Sequence, residues 1–133
     1  MATFFSVQSA EDAARLAAGG SPWPLGLRRA NLGPGYYAWA SLEEAERYRD
    51  LLQRHGITGL LIVAYAITDE DLKTLKQLDL TRRSDEEVNA WMEKHSHYGD
   101  AEPHDWEYVI RGTDIGIEHY FAAGVFDRLK EVP

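Results

Sequence analysis

Four short quartets in this chain fix where its helices can begin. Ser9 and Asp12, Ser41 and Glu44, Thr68 and Asp71, and Ser84 and Glu87 each place a hydroxyl three residues ahead of an acid. This is the capping-box spacing, in which hydroxyl and carboxylate satisfy backbone N–H groups that the first helical turn leaves unpaired. Each quartet precedes a stretch with helical periodicity. The clearest is Leu42 to Arg54, where Leu42, Ala45, Tyr48, Leu51 and Leu52 form an apolar stripe and Gly56 offers a stop. Ala10 to Ala18 reads as a shorter helix ended by Gly19-Gly20. Asp85 to His95 reads as another, with Val88, Trp91 and Met92 turned inward.

The remaining β-branched and aromatic residues fall between these helices. They predict strands at Thr3–Val7, Tyr36–Ala40, Gly59–Ile67, Trp106–Arg111 and Ile117–Phe121. The run Leu60-Leu61-Ile62-Val63-Ala64 is apolar at every position, as expected of a central strand covered on both faces. The pattern predicts one α+β domain over residues 1–133. Gly19 to Gly35 holds three of the five prolines and five of the eleven glycines, so it reads as a long loop. A doubly wound nucleotide fold is not expected. The first strand leads into Val7-Gln8-Ser9 with no glycine cradle, and GxxxxGK[ST] is absent.

Charge and composition narrow the function. The net charge is −8, and the tight basic pairs are only Arg28-Arg29 and Arg82-Arg83, which argues against a nucleic-acid partner. There is no cysteine, so thiolate catalysis, thiolate metal ligation and disulfides are excluded. The apolar run from Leu60 to Ile67 is too short to span a bilayer as a helix, and no basic stretch precedes a long apolar one at the N-terminus. A soluble cytoplasmic protein without a membrane partner is the expectation.

Chemistry concentrates in Gly33-Pro34-Gly35-Tyr36-Tyr37-Ala38-Trp39-Ala40-Ser41 and the helix after it. Glycines let backbone approach a ligand. Tyr37 on the strand and Tyr48 on the helix, with ten residues between, could sandwich a flat ring. Equally, Tyr48 lies on the apolar stripe and could simply be core.

The order of a strand Phe4-Phe5-Ser6-Val7, a short helix ending in glycines, the G-x-G-Y-Y segment with S-L-E-E-A-E-R-Y, and a late strand Trp106-Glu107-Tyr108-Val109-Ile110-Arg111-Gly112 resembles ADP-ribosyltransferase-like domains. The likeness is to small bacterial members of the diphtheria-toxin and poly-ADP-ribose-polymerase type. It covers most of the chain by element order and about thirty residues by motif. The resemblance implies a split or curved, antiparallel-rich sheet with packed helices, and NAD as substrate. It implies that Tyr37 and Tyr48 flank the nicotinamide and that Glu107 is the catalytic carboxylate. Breaking the nicotinamide–ribose bond generates an oxocarbenium-like centre, which a carboxylate stabilises. Arg28 or Arg29 would meet the pyrophosphate. The activity implied is transfer of ADP-ribose to a macromolecule, or hydrolysis of NAD. A plain strand residue facing solvent is the other account of Glu107.

One position departs from that pattern. Catalytic members carry His or Arg on the first strand, and the matching residue here is Phe5, which donates no hydrogen bond. The alternative is therefore an inert module of the same fold that acts by binding a protein.

A third reading starts from His95, His97, Glu102, His104 and Asp105, whose donors suit zinc, iron or nickel. His95 and His97 follow a helical stretch, where residues two apart diverge, and no glycines frame them. A polar loop is expected instead, without stoichiometric metal. His55 reads as a dipole partner at a helix C-terminus, and His119 has no evident role.

Overall fold

A computed structural model describes residues 1–22, 31–96 and 99–133. The chain runs β1 (Ala2–Ser9), α1 (Ala10–Ala17), β2 (Gly35–Trp39), α2 (Leu42–Arg54), β3 (Leu60–Ile67), α3 (Asp69–Thr74), β4 (Gln77–Asp79), α4 (Asp85–His95), β5 (Tyr108–Gly112), β6 (Ile117–Ala122) and β7 (Lys130–Val132). Short 3-10 helices occupy Leu80–Arg82 and Ala123–Arg128. All four capping quartets start helices. Ser9, Ser41, Thr68 and Ser84 each accept a hydrogen bond from the backbone N–H three residues on.

The strands form one sheet in the order β4-β5-β6-β2-β1-β3-β7, antiparallel except where β4 meets β5. The fold is therefore α+β with an antiparallel-rich sheet. It is not evenly knit. β1 and β3 share register from Ala2 opposite Ile67 to Ser9 opposite Leu60, whereas β1 meets β2 at Phe5 opposite Trp39 alone. That seam divides the sheet into two halves, β7-β3-β1 and β2-β6-β5-β4.

Strand alternation sends side chains to two layers. One face carries Phe4, Tyr36, Tyr65, Ile67 and Phe121, closed by Leu16 of α1 and by Leu75, Val125 and Phe126. The other carries two clusters. Val7, Trp39 and Leu60 pack with Ala45 and Tyr48 of α2, while Tyr37, Val109 and Tyr120 pack with Leu32, Leu78 and the α4 residues Val88, Trp91 and Met92.

Three expectations need correction. The strand predicted from Trp106 starts at Tyr108, because the Glu107 and Tyr108 N–H groups both donate to Lys76 O at 2.8 and 3.1 Å, ahead of the ladder. The apolar run of β3 is not covered on both faces: Leu61 is 47% exposed, since the short edge strand β7 pairs only with Ala64 to Ala66 and leaves the first half of β3 at the open edge of the sheet. Strands β4 and β7 appear where none was predicted. Residues 23–30 of the long loop, with Arg28 and Arg29, lie outside the described residues, as does His97.

Candidate functional site

Where the β5–β6 hairpin leans against α2, a cleft of about 330 Å³ opens on the α2 face of the sheet. Trp39 and Tyr48 form its aromatic wall, with ring centroids 5.4 Å apart and planes tilted by 51°. Trp39 comes from β2 and faces the cleft because it alternates with the inward Ala38 of the other layer. Tyr48 comes from α2, one turn beyond Ala45, which is fully buried against the sheet.

Opposite the rings lie Arg111 of β5 and Glu118 of β6, directly paired across the hairpin. Arg111 Nη2 donates to Glu118 Oε1 at 3.2 Å, with side chains 17% and 12% exposed. Glu118 is also the register partner of Trp39, which places carboxylate and indole in one row. Arg111 Nε is buried without a hydrogen-bond partner among the described residues. An unpaired buried donor costs about 1–3 kcal/mol, so an acceptor reaching it would gain more than one reaching an exposed donor. Asn31, Thr113, Asp114 and Ile115 complete the lining. The hairpin tip holds its shape because the Thr113 N–H and hydroxyl both donate to Gly116 O at 2.8 and 2.7 Å.

The residues singled out from the sequence are dispersed relative to this cleft. Tyr48 lines it. Tyr37 lies over the same sheet face in the neighbouring cluster, 2% exposed, with its ring 5.3 Å from Tyr120. Its hydroxyl accepts from Leu32 N–H at 3.0 Å and donates to Gly33 O. Glu107 sits at the far end of β5 from Arg111, roughly 13 Å along the strand. There its carboxylate accepts from the Lys76 N–H at 2.8 Å. Phe5 lies opposite Trp39 and packs into the same cluster, so the place that the resemblance gives to His or Arg holds a hydrocarbon ring. Trp39, Arg111 and Glu118 were not singled out from the sequence. The signal for the last two was the segment Gly112-Thr113-Asp114-Ile115-Gly116 between two strand-like runs, a hairpin that sets Arg111 against Glu118.

The histidines are tied into the scaffold. His104 Nδ1 accepts from Trp106 N–H at 3.1 Å, so its Nε2 carries the hydrogen and donates to Leu32 O at 2.7 Å. His104 is thereby held neutral, and burial lowers its pKa from 6.5, aided by the nearby His95 and opposed by the bond to Leu32 and by Asp105. His95 Nδ1 donates to Glu102 O at 2.7 Å, and its ring meets His104 edge-on at 5.2 Å. Among the described residues no group of three His, Cys, Asp or Glu side chains could hold a metal ion. Asp105 pairs with Lys76 Nζ at 2.5 Å instead.

His119 lies on the opposite sheet face, stacked on Tyr108 at 5.9 Å and 16°. The Tyr108 hydroxyl and His119 Nδ1 share a hydrogen bond of 2.6 Å. Burial lowers the His119 pKa to about 4, partly opposed by Glu44, and raises that of Tyr108 to about 12.

A wider cavity of about 540 Å³ lies between the end of α1 and β7. Tyr65 and Phe126 line it with ring centroids 5.0 Å apart, and Glu131 is the register partner of Tyr65, but its charged side chains, Asp127, Lys130 and Glu131, are all exposed, unlike the Arg111–Glu118 pair of the Trp39 cleft. Among the described residues no helix is long and apolar enough to cross a membrane. Comparison of the chain with protein-family models, with curated proteins and with solved structures found no match.

Proposed function

We propose that this chain is an ADP-ribosyltransferase-like domain that binds NAD in the cleft between α2 and the β5–β6 hairpin. The observation that carries this reading is the Arg111–Glu118 pair facing the Trp39 and Tyr48 rings. The oxidised nicotinamide ring is flat and cationic. An aromatic wall offers it stacking and a cation–π attraction, and the Asp114 and Glu118 carboxylates favour its charge. Turnover takes the form the resemblance implies. The nicotinamide–ribose bond breaks with its electron pair leaving on the nicotinamide, the ribose carbon becomes oxocarbenium-like, and water or a macromolecular nucleophile adds to it. Glu118 is the carboxylate beside the rings, and it takes the stabilising part that the motif gives to Glu107.

The second reading is an inert nucleotide-binding module of the same fold. It is favoured by Phe5 beside Trp39, a side chain that donates no hydrogen bond, and by Glu107, which lies outside the cleft that Tyr48 lines and accepts from the Lys76 N–H.

Calorimetry with NAD and a nicotinamide-release assay separate these outcomes. NAD is expected to bind, and Tyr48→Ala to weaken it about fivefold, since one stacking face is worth on the order of 1 kcal/mol. Glu118→Gln is expected to abolish nicotinamide release with binding largely kept, the mark of an interaction made in the transition state. Glu107→Gln is expected to change neither. Binding without release in the wild type selects the inert module, and absence of binding at millimolar NAD sinks both.

A further inference from the structure

The Trp39 cleft does not end at Leu51. Leu51, Asp114 and Ile115 also wall an adjoining groove of about 320 Å³ along α2, whose other lining residues are Arg47, Asp50 and Arg54. Positions 47, 51 and 54 recur at helical spacing, so Arg47, Leu51 and Arg54 share one stripe of α2. Cleft and groove thus form a bipartite surface, aromatic at one end and bearing two guanidinium groups at the other.

The two guanidinium groups are uncommitted. In a chain of net charge −8, most ion pairs between described residues use up their cations: Arg15 with Asp12, Arg49 with Glu46, Arg82 with Asp79, Arg83 with Glu87, Arg111 with Glu118. Arg47 and Arg54 are exposed and stand within 4 Å of no carboxylate among the described residues, although Asp50 and Asp114 border the same groove. Those two carboxylates cancel the long-range field of the groove. Any preference for an anion therefore arises from direct, bidentate hydrogen bonding, which a planar guanidinium gives to phosphate oxygens.

We infer that Arg47 and Arg54 hold the pyrophosphate of a dinucleotide whose nicotinamide end lies against Trp39 and Tyr48. The inference rests on the nucleotide reading of the cleft and names the subsite that selects phosphorylated ligands. In NAD the pyrophosphate is one ribose away from the nicotinamide ring, and the groove adjoins the cleft across the width of Leu51 and Ile115. Both arginines are positioning residues that act on affinity. They do not touch the bond that breaks.

The test measures binding of NAD and of nicotinamide riboside, which keeps the cationic ring and lacks phosphate, to the full chain. Wild type, Arg47→Gln/Arg54→Gln and Tyr48→Ala are compared, with thermal melts to verify that each variant is folded. The double arginine variant is expected to lose NAD affinity by about tenfold or more and to keep its affinity for the riboside within twofold. Unchanged NAD affinity in the double variant, with Tyr48→Ala still weakening it, overturns the pyrophosphate subsite and leaves the cleft reading intact. Equal loss for both ligands in the double variant overturns it as well. A wild type that binds neither ligand overturns the cleft reading and the subsite with it.

Discussion

Acidification from neutrality to about pH 4 is expected to destabilise this fold by about 2–3 kcal/mol through His119. The ring is half-buried between Phe4, whose centroid is 4.9 Å away, and the stacked Tyr108. Its folded pKa lies near 4, against 6.5 ordinarily, with burial the main cause. Between those two values the unfolded chain takes up a proton that the folded chain refuses, so stability is full above pH 6.5 and falls as the pH drops towards 4. His104, shifted downward by the same cause, adds to the slope in the same direction. Asp79 and Asp105 are held below the usual carboxylate value of 3.8 by bonds to Thr81 and Lys76, and their contribution is lost only at lower pH. Urea unfolding at a series of pH values checks this. His119→Phe keeps a ring in the stack and removes the proton site, so its stability should be lower at pH 7 yet flatter between pH 6.5 and 4. Parallel curves for wild type and variant would show that His119 does not titrate in this window.

How far the sequence reveals this molecule differs by level. The helix starts were legible because a cap is a local device: Ser41 and Glu44 complete their bonds within one turn, whatever the rest of the chain does. Strands β1, β2, β3 and β6 were legible from their β-branched and aromatic residues. β4 and β7 were not, since Gln77-Leu78-Asp79 and Lys130-Glu131-Val132 have no strand pattern and are held by edge pairing to β5 and β3. The same limit misjudged β3, whose cover depends on which strand ends up beside it.

The candidate site shows the limit more sharply. A ten-residue gap places Tyr37 and Tyr48 on consecutive elements, but spacing cannot say which way a ring turns. Tyr37 turns its hydroxyl to Leu32 and Gly33 and packs on Tyr120, while the wall beside Tyr48 is supplied by Trp39, two residues further on. Arg111 and Glu118 meet only because a four-residue hairpin loop sets their register, and Glu107 is carried away from them along the same chain segment. Local chemistry was readable; its convergence depended on pairing between distant segments.

Phe4→Ala is expected to cost about 3–5 kcal/mol, the range for removing a buried aromatic side chain, and a large share of the 5–15 kcal/mol that holds a typical domain together. Phe4 is 4% exposed. It stands on β1, yet its ring neighbours His119, Phe121 and Tyr108, at 4.9, 5.0 and 6.4 Å, all belong to β5 and β6 on the other side of the seam. Backbone pairing across that seam is confined to Phe5 opposite Trp39, so side chains do most of the joining there. The effect should therefore be directional. Amides of β1, protected on one flank by eight register partners in β3, should stay linked to β3, while exchange at the β1–β2 contact and in β2 rises towards the global rate. Because Phe5 and Trp39 lie behind the Tyr48 ring on the opposite face, loosening the seam should also weaken any ligand in the cleft. Chemical denaturation and hydrogen exchange on the variant measure both effects. A loss below about 1 kcal/mol, or exchange raised uniformly over all strands, would mean that the two halves are joined by something other than the Phe4 cluster.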